Sequence, residues 1–410
     1  MKSQFVRIFA ALLFISTFGA MSCQKDEPDL PPQTENPPVE EPQPLTESHT
    51  MILFMQGDNG LSEFMDVNLQ KVISAYYDIP HDLGKIVVFY DRGNYTRLTE
   101  LYIDDGLAKQ RLIMEYNKSV STVDPEFVKG VFDLIKEEVP SQTYGLVLSS
   151  HGGGWVPADI YDLYLYLDTA NEQPLIGRSF YGQDGMDCME LPELAQALQG
   201  WNFEYIIFDA CFMASVEGLY DMRNCADYII ASSAEILGTG FPYEEIVPLL
   251  FSTADHSLQK GCESYMELYA ESSGTISLID CSKLESLADV MGQIYEEVSS
   301  LSVDLSNVQS YEGFSTHLYF DLEQYVEQLL PEGELLELFK TTLKEVVLFT
   351  DHTEQFYSAV GKEPSYIDLP RSCGLTTYIM QWNCVNTCEA YLQTSWAEDT
   401  GLEYLVTDWN

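Results

Sequence analysis

Short apolar runs alternate with amphipathic stretches from Thr50 to about Ala231, and this alternation restricts the fold more than any other feature of the chain. Met51 to Met55 is a buried-strand signal ended by Gly57-Asp58-Asn59-Gly60, and helical spacing follows from about Leu61 to Tyr77. Lys85 to Tyr90 is a second apolar run, stopped by Asp91-Arg92-Gly93. The spacing of Phe127, Val131, Leu134 and Ile135 predicts a helix. Strands are expected at Gly145 to Ser149, Tyr205 to Phe208 and Tyr228 to Ala231, separated by helices near Leu191 to Leu198 and Ala214 to Met222. Alternation of this kind predicts an α/β sandwich, a mostly parallel sheet covered by helices on both faces. Beyond Tyr243 the pattern is mostly helical (Leu258 to Ala270, Lys283 to Val298, Leu335 to Leu348), with strand candidates at Thr275 to Ile279 and Leu375 to Met380. These residues read as an elaboration packed on the same sheet.

Two strands run into chemistry. Leu146 to Ser150 leads into His151-Gly152-Gly153-Gly154-Trp155, and Ile206-Ile207-Phe208 leads into Asp209-Ala210-Cys211. Ligands of open α/β sheets bind beyond the carboxyl ends of the strands, so both residues belong on that rim. Cys211 is expected at the entrance of the helix beginning near Ala214, where the helix dipole and free N–H groups lower a thiol pKa. His151 can take the thiol proton and return it to a leaving amine. The glycines after His151 let backbone approach a substrate, which makes the N–H groups of Gly152 and Cys211 a candidate oxyanion hole. No third orienting residue can be picked out.

Asp209 shares a strand face with Cys211. It either hydrogen-bonds the neighbouring loop as a structural carboxylate or lines a specificity pocket that receives an Arg or Lys side chain. His-Gly-Gly-Gly also resembles the oxyanion motif of lipases, but the required Gly-x-Ser-x-Gly elbow does not occur. Neither does a His-Glu-x-x-His zinc motif or a phosphate-binding Gly-x-x-x-x-Gly-Lys loop. Taken singly, a histidine after an apolar strand is usually structural and a free cysteine usually buried. Their pairing at matching strand ends favours chemistry.

The 410 residues suffice for one large domain or two modest ones, at roughly 150 residues per domain. With 65 acidic against 20 basic residues, a net charge of -45 repels a phosphate backbone and excludes nucleic acid as a partner. Such a field attracts basic proteins or peptides, or serves only solubility. Lys2 and Arg7 precede an apolar run from Ile8 to Phe18 that is too short to span a bilayer, so residues 1–22 read as a secretory signal. Gly19-Ala20-Met21-Ser22-Cys23 resembles a relaxed lipobox with Cys23 as the lipidated residue. Gln24-Lys25-Asp26-Glu27 resembles the acidic export signal of surface-displayed lipoproteins of the Bacteroidetes. Residues 23–49 form a Pro/Glu-rich linker: seven of the 18 prolines fall between 24 and 48, a composition that cannot repay its ordering entropy. The remaining eight cysteines are too scattered for a disulfide framework, and Cys384 and Cys388 are only a weak metal or disulfide signal.

Several motifs together resemble the clostripain-like cysteine peptidases, which share the caspase-type α/β/α sandwich: Gln56 to Leu61, His151 to Trp155, Asp209 to Glu217, Gly240-Phe241-Pro242-Tyr243 and Ser372 to Tyr378. The resemblance covers nearly all of residues 50–410, with the helical elaboration from about 244. It implies a hydrolase with a His151–Cys211 dyad that cleaves after Arg or Lys, Asp209 lying in the specificity pocket. Some members bind calcium and others mature by internal cleavage; nothing in this sequence itself demands a cofactor. Ala231 to Leu237 departs from the acid pair and later proline usual in relatives, and Phe241 replaces a more typical Trp. That stretch reads as pocket wall, which leaves a non-basic preference open. Arg178, the one basic residue between His151 and Cys211, is the candidate for self-cleavage. A non-catalytic surface lipoprotein on the same scaffold is the alternative, its usual mark being loss of a dyad residue. The N-terminal signals point to a lipid anchor in a bacterial membrane, with the outer membrane and cell surface the expected location.

Overall fold

Eight consecutive residues, His49–Gln56, are buried and form β1 at the centre of a nine-stranded sheet. This computed structural model describes residues 47–117, 120–158, 160, 181–254, 256–381 and 383–405, so the signal segment, Cys23 and Arg178 lie outside the described residues. The other strands are β2 (Gly84–Asp91), β3 (Thr96–Asp104), β4 (Leu107–Tyr116), β5 (Thr143–Ser149), β6 (Phe203–Asp209), β7 (Ala226–Ala231), β8 (Thr275–Asp280) and β9 (Val347–His352). Their order is β9-β8-β7-β6-β5-β1-β2-β3-β4. The five central strands, β7 to β2 in that order, are all parallel, and each edge is completed by two antiparallel strands.

Burial on both faces explains why the central strands read as continuous apolar runs. Ile52, Phe54, Leu146, Leu148, Ile206 and Phe208 face one helical layer; Met51, Leu53, Met55, Val147, Tyr205 and Ile207 face the other. The helices are α1 (Ser62–Ala75), α2 (Pro125–Glu138), α3 (Leu191–Ala197), α4 (Val216–Met222), α5 (Tyr243–Leu250), α6 (Ser257–Tyr269), α7 (Leu284–Glu297), α8 (Leu322–Leu329) and α9 (Glu334–Val346). Residues of α2, α3, α4, α7 and α9 join the first layer, those of α1, α5 and α6 the second. α2 shows how local sequence fixes such an element. Asp124 accepts from the Phe127 N–H at 2.8 Å, Pro125 opens the first turn, and Val128, Val131, Phe132 and Ile135 form the buried stripe.

One stretch was not anticipated: β3 and β4 form a hairpin on the sheet edge. Asp105 and Gly106 turn it with φ of 51° and 72°, the conformation a two-residue primed turn requires. The region beyond Tyr243 adds β8 and β9 to the sheet besides its helices. Of the Leu375 to Met380 stretch only Thr376–Thr377 is strand, paired with Phe320–Asp321. No described helix is long and apolar enough to cross a membrane. The described cysteines, Cys188 to Cys388, are all free.

Candidate active site

Register brings the two reactive strand ends together. Met55 pairs with Ser149, and Ser149 pairs with Asp209, so β5 and β6 finish level. His151 and Cys211 each lie two residues beyond that last pair. The loops then touch: a Cβ placed on Gly152 would lie 2.8 Å from the Cys211 carbonyl oxygen and 3.0 Å from the Ala210 Cβ. Only glycine permits so close an approach.

His151, Asp209 and Cys211 line one cavity of about 170 Å³. Leu61, Phe64, Met65 and Asn68 of the α1 region form another side, and Glu235 to Gly238 close the wall. Asp209 continues the Tyr205–Ile207 row on the α1 and α5 face of the sheet. Its Oδ2 accepts from the Tyr243 hydroxyl at 2.7 Å and from the Ser149 hydroxyl at 3.2 Å. Burial pushes its carboxyl up to about 6, against the lowering effect of those two hydroxyls and of the Lys71 charge. Gly240 passes so close that a Cβ there would lie 2.7 Å from Oδ2.

The surroundings of Cys211 run against the expectation of an activated thiolate. The helix after Cys211 begins at Val216 and is only seven residues long. Two of the intervening N–H groups are already committed: Phe212 donates to Ala234 O at 3.1 Å and Ala214 to Ser232 O at 2.9 Å. Burial, followed by the charge of Glu235, pushes the Cys211 thiol up to about 12, and Asp209 adds to the rise. The Ile236 N–H, 3.4 Å from Sγ, offsets this only in part. Sγ also lies 3.7 Å from Ile236 O. Burial shifts His151 the other way, down to about 4. No hydrogen bond joins its ring to the thiol among the described residues, so at neutral pH the resting site holds a neutral thiol and a neutral imidazole. Catalytic hydrogen bonds of this kind commonly tighten only when substrate binds.

Glu235 lies in the stretch read from sequence as pocket wall, and it lines the cavity. Half-buried in the wall, it accepts at Oε1 from the Ser358 hydroxyl at 2.8 Å and from the N–H groups of Ala359 and Val360 at 2.9 and 3.4 Å. Burial raises its pKa. Tyr243 ends the Gly240-Phe241-Pro242-Tyr243 motif, whose local pattern carries no sign of the bond to Asp209. Ser149, at the last paired position of β5, gave no signal of its own. Among the described residues no group of three or more His, Cys, Asp or Glu side chains is placed to hold a metal ion, and no step below runs through one.

Cys211 and His151 thus stand at level strand ends, with the Asp209 carboxylate two residues upstream of the thiol on one wall of the cavity. The sequence model of the Clostripain family matches residues 53–402. The chain belongs to the clostripain family. Over 230 residues it is 24% identical to Clostripain of Hathewaya histolytica, covering 48% of this chain and 41% of that one, so it spans less than half of that curated relative. A secreted C11 cysteine protease from Bacteroides thetaiotaomicron, solved with an irreversible peptide inhibitor, is 28% identical with a TM-score of 0.76, covering 87% of this chain and 99% of that one. An inactive zymogen C11 protease from Parabacteroides distasonis is 28% identical with a TM-score of 0.77, at 87% and 99% coverage. Clostripain-family membership and these cysteine-protease neighbours agree with the α/β sandwich found here.

Proposed function

We propose that this clostripain-family chain is a cysteine endopeptidase that cleaves after Arg or Lys, with Cys211 as nucleophile and His151 as general base. The observation that carries the reading is the Ser149–Asp209 register, which sets all three residues around one cavity. In this scheme His151 takes the thiol proton as Sγ attacks the carbonyl carbon of the scissile bond. The N–H groups of Gly152 and Cys211 receive the developing oxyanion. Collapse of the intermediate breaks the C–N bond, and the proton on His151 passes to the departing amine. Water, deprotonated by the same imidazole, then releases the acyl group and restores the thiol. Both groups are neutral at rest, so the ion pair forms only along this path.

Asp209 supplies the preference for basic residues. A guanidinium or ammonium entering the cavity meets a carboxylate oriented by Tyr243 and Ser149, and water excluded from the pocket strengthens the pair. The test is hydrolysis of peptides that differ only in the residue before the scissile bond, with Cys211→Ala as control. Cleavage confined to Arg and Lys peptides and lost in the variant is expected. Hydrolysis that survives in Cys211→Ala sinks the nucleophile, and equal cleavage after apolar residues sinks the specificity. Labelling of Cys211 by a thiol-reactive probe no faster than the other cysteines, with no hydrolysis, identifies a non-catalytic binding protein instead.

The further assignments rest on sequence. Residues 1–22 are read as the signal, 23–49 as a linker anchored through a lipid on Cys23, and 50–410 as the peptidase domain facing protein or peptide substrates outside a bacterial membrane. Cys23→Ala should move the chain from the membrane to the soluble fraction. Self-cleavage after Arg178 predicts clipped wild type and intact Cys211→Ala by mass; two intact proteins overturn it.

A further inference from the structure

The residue after the nucleophile is held in an unusual backbone conformation. Phe212 has φ of 61°, one of three described non-glycine residues in the left-handed region. The other two, Asp105 and His256, lie at a hairpin turn and ahead of α6. Phe212 is buried and aromatic, a residue type for which this conformation is steeply unfavourable unless the surroundings enforce it. Three contacts do so. Its N–H donates to Ala234 O, and its carbonyl oxygen lies 2.5 Å from where a Cβ on Gly154 would sit. Its ring is stacked on Tyr319 with centroids 4.5 Å apart and planes 4° from parallel.

Tyr319 reaches the second catalytic loop as well. Fully buried, it donates its hydroxyl to Gly153 O at 2.6 Å, two residues after His151. It is itself anchored, because the buried Glu312 carboxylate accepts from the N–H groups of Leu318 and Tyr319 at 2.7 and 3.2 Å. One side chain from the C-terminal region therefore holds the Cys211 loop by its ring face and the His151 loop by its hydroxyl.

We propose that Tyr319 is a positioning residue for the peptidase reaction, fixing the spacing between Cys211 and His151 through its stack on Phe212 and its hydrogen bond to Gly153. The proposal rests on the reading of that pair as the reacting dyad. Tyr319→Phe keeps the stack and removes the hydrogen bond. Its kcat should fall about five- to tenfold, the scale of one buried hydrogen bond, with KM within about twofold. Alkylation of Cys211 by iodoacetamide, followed by peptide mapping, should slow by the same factor when His151 is present and by less than about twofold in a His151→Ala background. A purely structural role would not depend on His151. Phe212→Leu removes the stacked ring and leaves the hydroxyl and its acceptor in place; it should show the same dependence and serves if Tyr319→Phe does not fold. A kcat within twofold of wild type in the folded variants, or equal slowing with and without His151, overturns the proposal. Failure of the dyad itself looks different: Cys211→Ala retains hydrolysis, or His151→Ala is alkylated at the wild-type rate.

Discussion

The ends of β5 and β6 are neighbours in register and opposites in electrostatics. At the end of β6, Cys211 shares its cavity with two carboxylates, the buried Asp209 and the half-buried Glu235, and its proton is held tightly. At the end of β5, His151 is simply desolvated and holds a proton weakly. Burial favours the neutral form of each, so the same physical cause drives the two pKa values apart. Neither environment favours a resting thiolate–imidazolium pair. Cys211 is a weak acid and His151 a weak base, brought to one cavity by strand register.

His151→Ala breaks the comparison most severely. With the base gone, nothing at the β5 end can accept the thiol proton, and kcat/KM should fall by roughly 10³- to 10⁴-fold with the fold unchanged. Steady-state kinetics on the preferred peptide checks this, and a loss below tenfold would place the base elsewhere. Asp209→Asn comes next. The amide oxygen still accepts from Tyr243 and Ser149, but the charge is removed. Loss of a charge-assisted contact of about 1.5–3 kcal/mol lowers kcat/KM for basic peptides roughly 10- to 150-fold. Because the carboxyl titrates at about 6, wild-type kcat/KM for those peptides should drop as pH falls through 6, and the variant should lack that limb. A limb that persists in Asp209→Asn assigns it to another group.

The same two strand ends show what a sequence can disclose. The parallel core was readable because strands buried on both faces must be continuously apolar, as from Ile86 to Tyr90. The site's rim was readable because both runs stop at a polar residue followed by a reactive one. β4 was invisible for the converse reason: its residues are mostly exposed on both faces, so no period of two marks it, although Asp105-Gly106 signalled the turn. The helix expected from about Ala214 to Met222 begins at Val216, although Met213 and Ala214 are helix formers. Tertiary bonds from Phe212 and Ala214 to the segment after β7 override that preference. Tyr319 and Glu235 meet their partners across 166 and 123 residues of chain, a separation that no local pattern records.

A smaller effect sharpens the contrast between the two loops from beneath. Glu217, on α4, is fully buried; its Oε1 accepts from the Thr377 hydroxyl at 2.7 Å and from the Tyr378 N–H at 3.0 Å. The Tyr378 ring packs on Trp155 of the His151 loop, centroids 5.0 Å apart, so this carboxyl ties the helix after Cys211 to the loop of His151. Burial pushes it up to about 7 from 4.5. The folded chain therefore keeps a proton that the unfolded chain has released, and its contribution is fully present below pH 4.5 and lost as pH rises through 7. His151 has the opposite sign, its folded pKa being lowered, so it favours folding more as pH rises from 4 to 6.5. Glu217→Gln keeps an oxygen to accept both hydrogen bonds and cannot titrate. Relative to wild type the variant should gain stability between pH 5 and pH 8, by an amount on the order of 3 kcal/mol. Urea unfolding at the two pH values measures the difference directly, and comparison with the variant cancels the opposing His151 contribution. A difference that does not change with pH would mean that Glu217 stays ionised in the fold, and that the tie between the two loops is already a charged one.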